Sequence, residues 1–170
     1  MRWVVSVLWM AGTLFLVTPL CAGPLYDEGL SLFQDEAYKK ASRRLEKSFE
    51  KEKGTASDAA LLLSQCYEEM GKTSRAIDTL KKGQRNDPEN WDLLYRLGDL
   101  QDTRGDYFGA LEAFAKASIL KPRDTKTTFR LGMLYDKTAQ IEKALKVYRK
   151  LRKEGSPYAE RLLHAIQGIE

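Results

Sequence analysis

The chain has 170 residues, 43% of them apolar, 31% charged and 10% aromatic, which supplies a packed core but not the length for a large multidomain enzyme. Its 28 Lys and Arg against 24 Asp and Glu leave a mild net charge of +4, interleaved along the chain, so composition makes no case for nucleic acid as a partner. Two cysteines and a single histidine exclude a disulfide framework and a site built from paired histidines.

Residues 1–22 differ from all that follows. Arg2 is the only charge before Asp27, Trp3–Val17 is apolar except for Ser6, Gly12 and Thr13, and Pro19 stands just ahead of the small residues Ala22 and Gly23. A charged start, an apolar middle, a helix breaker and a small-residue exit are the layout of a secretory signal peptide, with cleavage expected between Ala22 and Gly23. The alternative is an uncleaved anchor, since the apolar run approaches the span of a bilayer. Lipidation of Cys21 would need a small residue before it, and Leu20 is large. Cleavage after Ala22 would leave Cys66 as the only thiol.

The rest of the chain repeats itself. An offset of 34 residues joins Leu63, Leu97 and Leu131, then Ala76, Ala110 and Ala144, and Pro88 with Pro122, with Ser156-Pro157 in the next slot. Ser64, Gly98 and Gly132 form a column of small residues, and Leu80, Phe114 and Tyr148 a column of large ones. Each unit predicts two amphipathic helices. In one, Leu94, Leu97, Gly98 and Gln101 share a stripe that Gly105 ends; Tyr107, Ala110, Phe114 and Ala117 form the next, ended by Pro122. Asp87-Pro88 and Ser156-Pro157 are expected to start helices, as a cap followed by proline at the first helical position. The small column lets helices approach where the facing one presents Phe or Leu. Placing Leu at Gly98 is expected to overpack the contact at a cost of about 1–3 kcal/mol.

These columns resemble the tetratricopeptide repeat, with small residues at the eighth and twentieth positions of a 34-residue unit, large ones at the fourth, seventh and twenty-fourth, and proline at the thirty-second. The match covers units 57–90, 91–124 and 125–156. A degenerate unit at 23–56 precedes them, carrying Gly29, Leu32, Tyr38, Ala41 and Leu45 in the expected slots. It departs in Glu28 at an apolar slot, in Glu36 where the turn glycine belongs, and in one extra residue. Residues 157–170 read as a capping helix, its apolar face made by Ala159, Leu162, Leu163 and Ile166, because a solenoid needs its last unit covered. The resemblance implies an all-α, right-handed solenoid of antiparallel helix pairs, nine helices in sequence.

The residues assemble no catalytic constellation, and no cofactor or metal site is expected. His164 falls in the capping helix beside its apolar stripe, Cys66 falls mid-helix between Leu63 and Tyr67 as a structural thiol, and Asp99 with Asp102 reads as a solvated pair. No phosphate loop, nucleophile elbow or calcium loop occurs.

The resemblance instead implies a concave groove, lined by the first helix of each unit, that takes a peptide or a segment of a partner protein. Carried over, one row of the groove is Tyr26, Leu61, Tyr95 and Phe129, and a second is Phe33, Glu68, Asp102 and Asp136. Leu30, Gln65, Asp99 and Met133 lie between the rows. Summed by helix, the formal charge is −6 over the first helices and +11 over the second, so an acidic groove and a basic outer face are expected. Such a groove would suit an amphipathic or basic segment. Lys143, Lys146, Arg149, Lys150, Arg152 and Lys153 form the densest basic stretch, open to an acidic partner or anionic lipid. Some family members clamp a terminal carboxylate; Lys126 and Arg130 match two slots, but Leu61 and Gln65 fill the others, so that mode is not expected. The expected function is a non-catalytic adaptor of the cell envelope, secreted or periplasmic. An anchored structural subunit and a regulatory subunit of an envelope enzyme are the alternatives.

Overall fold

The computed structural model describes residues 23–168, so residues 1–22, with the expected signal peptide and Ala22 of its cleavage site, lie outside the described residues. Nine α-helices follow one another among them: α1 (Pro24–Gln34), α2 (Tyr38–Lys51), α3 (Ala56–Glu69), α4 (Thr73–Asn86), α5 (Trp91–Thr103), α6 (Tyr107–Leu120), α7 (Thr125–Lys137), α8 (Ile141–Lys153) and α9 (Tyr158–Gln167). They pack as antiparallel neighbours, α1 on α2, α3 on α4, α5 on α6 and α7 on α8, with α9 lying against both α7 and α8. The result is an all-α solenoid.

The turns inside the pairs show why the repeat needs its glycines. Gly71 and Gly105 adopt φ of +68° and +83°, the left-handed region that costs other residues about 1–2 kcal/mol. Glu36 and Ala139 occupy the same turn in the first and fourth pairs at φ of 58° and 56°. The departure noted at Glu36 is thus accommodated in an unfavourable backbone conformation. Glu28 is exposed on α1 and pairs with Arg44 of α2 at 2.8 Å, which explains a charge in an apolar slot.

Small residues hold the pairs together. The Phe114 ring sits directly on Gly98 of its own pair. A Cβ built on Gly98 would lie 2.9 Å from the Phe114 Cδ2 and Cε2 atoms. Phe114 then reaches onward to a cluster with Ala110 and Leu134, so it serves both contacts. Gly132 faces Val147 and Leu162 in the same manner, and Gly29 faces Leu45.

Both expected helix starts are shifted in the structure. Asp87-Pro88 lies in the loop before α5, whose N-cap is Asn90, with Asn90 Oδ1 accepting from Leu93 N–H at 3.2 Å. Asp87 ties that loop down by accepting from Ser57 Oγ and Asn90 Nδ2, both at 2.9 Å. At α9 the N-cap is Pro157 itself, one position later than expected, and Ser156 Oγ accepts from Tyr158 N–H at 3.3 Å just ahead of the helix. α1 has no cap of its own. Glu52, just past α2, reaches across to accept from Leu25 N–H at 2.9 Å and Tyr26 N–H at 3.1 Å.

The first helices approach one another along the stack, α1 to α3 and α3 to α5, more closely than the second helices do. Between α4 and α6 the second helices part enough to leave a cavity of about 350 Å³. The first helices α1, α3, α5 and α7 make one face of the stack, the inner face, and α2, α4, α6 and α8 the opposite, outer face.

Candidate functional site on the inner face

Helical spacing puts Tyr95 and Asp99 one turn apart on α5, and Phe129 with Met133 one turn apart on α7. Where α5, α7 and α9 converge, Tyr95, Arg96, Asp99, Lys126, Phe129, Arg130, Tyr158 and Arg161 line an open cavity of about 420 Å³. That is within the size range of ligand-binding clefts. Its walls are aromatic. Phe129 stacks on Tyr158 with centroids 4.9 Å apart, and Tyr95 lies between Trp91, stacked at 5.0 Å, and Phe114, edge-on at 5.4 Å.

Two cations stand at the cavity without an ion-pair partner among the described residues. Lys126 Nζ lies 5.1 Å from the centre of the Tyr95 ring, and Arg161 Cζ is 5.2 Å from that of Phe129 and 5.7 Å from that of Tyr158. Cation–π contact holds each head group over the aromatic wall. The Tyr95 hydroxyl beside Lys126 raises the ammonium pKa above its ordinary value, so this charge persists well into alkaline solution.

The acidic row is not free. Arg96 bridges Glu68 at 2.7 Å and Asp99 at 3.7 Å; Arg130 pairs with Asp99 and approaches Asp102 at 3.8 Å; Lys137 closes on Asp102 at 2.5 Å. Carboxylates and cations alternate across α3, α5 and α7 in one ladder, and the Asp102 side chain is only 9% exposed. Glu68, Asp99 and Asp102 are thus held in ion pairs, while Asp136 is in none among the described residues. The formal sum of −6 over the first helices already counts Arg96, Arg130 and Lys137, so the pairing leaves that sum unchanged and shows instead which carboxylates are occupied. The Nε atoms of Arg96 and Arg130 are buried with no acceptor, so the ladder is rich in donors. At the end formed by α7 and α9 the inner face is net basic.

The remaining expected residues divide. Phe129 packs with Met133, Tyr158 and Ile166 over the buried Leu162. Tyr26, Leu30, Phe33 and Leu61 lie half-buried against the core of the first three pairs, and Phe33 meets Tyr38 edge-on at 5.4 Å. Gln65 and Asp136 are also half-buried, and neither lines the α5–α7–α9 cavity. The groove positions implied by the resemblance do not include Lys126, Arg130, Arg96, Tyr158 or Arg161, which line the cavity. The first two were visible as matches to a carboxylate clamp; Tyr158 and Arg161 come from the helix that breaks the repeat, and only their i,i+3 spacing on that helix signals a shared face.

Comparison with known proteins agrees with this architecture. The tetratricopeptide repeat family matches residues 32–98 and again 128–154, together more than half of the chain. Human superkiller complex protein 3 is 29% identical over 109 residues, 64% of this chain but 7% of that protein, and tetratricopeptide repeat protein 37 of Xenopus laevis is 27% identical over the same length. The chain thus spans a small fraction of these relatives. Among solved structures, a tetratricopeptide repeat protein from Parabacteroides merdae superposes with a TM-score of 0.75 at 18% identity, over 84% of this chain and 57% of that one. YrrB, described as a TPR protein with an unusual peptide-binding site, superposes at 0.71 with 22% identity, over 86% and 74%. MamA does so at 0.67 with 22% identity, over 77% and 76%. These likenesses are of fold.

Proposed function

The chain belongs to the tetratricopeptide repeat family, and from that premise we propose that it is an adaptor whose inner face docks one segment of a partner protein at the α5–α7–α9 cavity. The observation that carries this is the pairing of three aromatic walls, Tyr95, Phe129 and Tyr158, with two unpartnered cations, Lys126 and Arg161. Apolar walls bind a side chain by burial, at about 25 cal/mol per Å² removed from water, while the cations select a neighbouring carboxylate. The segment is therefore apolar with acidic flanks at this end of the groove, opposite in sign to the basic segment expected from the charge summed over all the first helices. The description of YrrB as a peptide binder supports a peptide-sized occupant. By the composition of residues 1–22 we assign the adaptor to an exported, envelope-associated setting, and a mature chain that begins at Gly23 is the expected result of N-terminal mass spectrometry.

Photo-crosslinking in cells from position 95 tests the docking. A dominant unrelated chain captured there, and lost on Phe129→Ala, is the expected result. A crosslink only to a second copy of the same chain would mean that the inner face is filled by self-association, and would defeat the adaptor reading.

A further inference from the structure

The outer face carries a feature that the groove does not use. α6 is apolar on nearly its whole circumference. Ala110, Ala113, Phe114 and Ala117 face the core, yet Phe108 is 76% exposed and Ile119 77%. At 100° per residue, Phe108, Glu112, Ala115 and Ile119 fall on one stripe pointing directly away from the buried side, with the two large apolar residues about 16 Å apart along the axis. Glu112, the only charge on the stripe, is answered by Lys116 at 2.7 Å. Tyr107, at 37%, and Leu120, at 36%, widen the apolar surface at either end.

α6 is flanked by cations on both sides. Lys81, Lys82 and Arg85 are exposed on α4, and Lys146, Arg149 and Lys150 on α8, none of them in an ion pair among the described residues. Lys81 and Arg85 line the outer cavity between α4 and α6. Lys150 reaches the loop that leaves α6, donating to the Pro122 carbonyl at 3.1 Å. α6 is the middle helix of the outer trio α4, α6 and α8, so its exposed apolar stripe runs between the two sets of cations. A ridge with protruding Phe and Ile needs no matching groove when the surface is deformable, and basic flanks complement negative charge. A second copy of the chain would set basic flank against basic flank.

We propose that the outer face of α6 docks peripherally on an anionic lipid surface, with Phe108 and Ile119 entering the headgroup–acyl boundary and the α4 and α8 cations meeting the headgroups. This is independent of the inner groove and concerns a different side of the molecule.

The test uses the full chain with p-benzoylphenylalanine at position 119 or, for comparison, at position 95, mixed with vesicles of phosphatidylcholine containing one quarter phosphatidylglycerol. Any lipid affinity of residues 1–22 brings both positions near the bilayer alike, so the contrast between positions reports which face lies on it. Lipid adducts at 119 about tenfold above those at 95, falling to the level at 95 on Phe108→Glu or on removal of the anionic lipid, are the expected result. Both positions on α6 are solvent-facing, and circular dichroism of the Phe108→Glu chain confirms that the fold is kept. Equal adducts at 119 and 95, adducts insensitive to Phe108→Glu, or a crosslink from 119 to a second copy or another protein would each overturn the proposal. An Arg161→Glu chain, impaired at the inner groove, keeps the adducts at 119, so the two faces fail separately.

Discussion

Gly98→Ala is the sharpest test of how the repeat is held together. The new Cβ would stand 2.9 Å from two carbons of the Phe114 ring, closer than van der Waals contact allows. Phe114 is 0% exposed, wedged against Tyr95 and clustered with Ala110 and Leu134, so the ring has nowhere to retreat. Overpacking of this kind costs about 1–3 kcal/mol. Against it, alanine is favoured over glycine in a helix interior by about 1 kcal/mol. The net expectation is a loss of about 1 kcal/mol, a fall in Tm of roughly 2–4 °C for a domain of this size. Urea and thermal unfolding followed by circular dichroism measure it, together with Phe114→Leu and the double variant. Because the clash is with the ring, the double variant is expected to lose less than the sum of the singles, by about 1 kcal/mol of coupling. A Gly98→Ala chain more stable than the parent, or strictly additive costs, would refute the reasoning, since helix propensity would then outweigh a contact that does not exist.

Three further outcomes follow from particular residues. Ala139→Gly relieves the left-handed turn at φ 56° and is expected to raise stability by about 0.5–1 kcal/mol, read as a higher urea midpoint. Burial of Glu52 works against its charged form, but hydrogen bonds from Ser48 and from the Leu25 and Tyr26 amides outweigh this and hold its pKa below the ordinary value. Its contribution is then fully present above the unfolded pKa of about 4.3 and lost as pH falls through the lower folded value. Glu52→Gln should therefore lower Tm at neutral pH, with the gap to the parent closing on acidification across that window. Burial pushes the Cys66 thiol up to about 11, and the residue is 0% exposed. Iodoacetamide at pH 8 is expected to leave Cys66 unmodified in the folded chain and to label it fully in denaturant, as read by peptide mapping.

The repeat was legible because close helix contact tolerates few residue types, so Ser64, Gly98 and Gly132 recur at fixed offset, with Phe114 seated on Gly98 and Val147 and Leu162 on Gly132. Tyr95 and Phe129 were legible for the same reason: periodic position places them on one face. The electrostatics were not. Asp99 is neutralised by Arg130, a repeat further on, and Asp102 by Lys137, pairings that depend on the rise and rotation between repeats rather than on any single helix. Tyr158 and Arg161 belong to α9, outside the repeat, where no column predicts a role. Glu52 was hidden because the amides that it caps lie 27 and 26 residues before it, on another helix.

The central claim is the sign and place of the inner site. The direct measurement is fluorescence polarisation of two labelled peptide sets against the full chain, each with a central Phe or Leu, one flanked by Asp and Glu and the other by Lys and Arg. The acidic set is expected to bind at least about tenfold tighter, with Arg161→Glu and Lys126→Glu each removing the preference and added salt weakening it. Tighter binding by the basic set, or an acidic preference untouched by both substitutions, would contradict it.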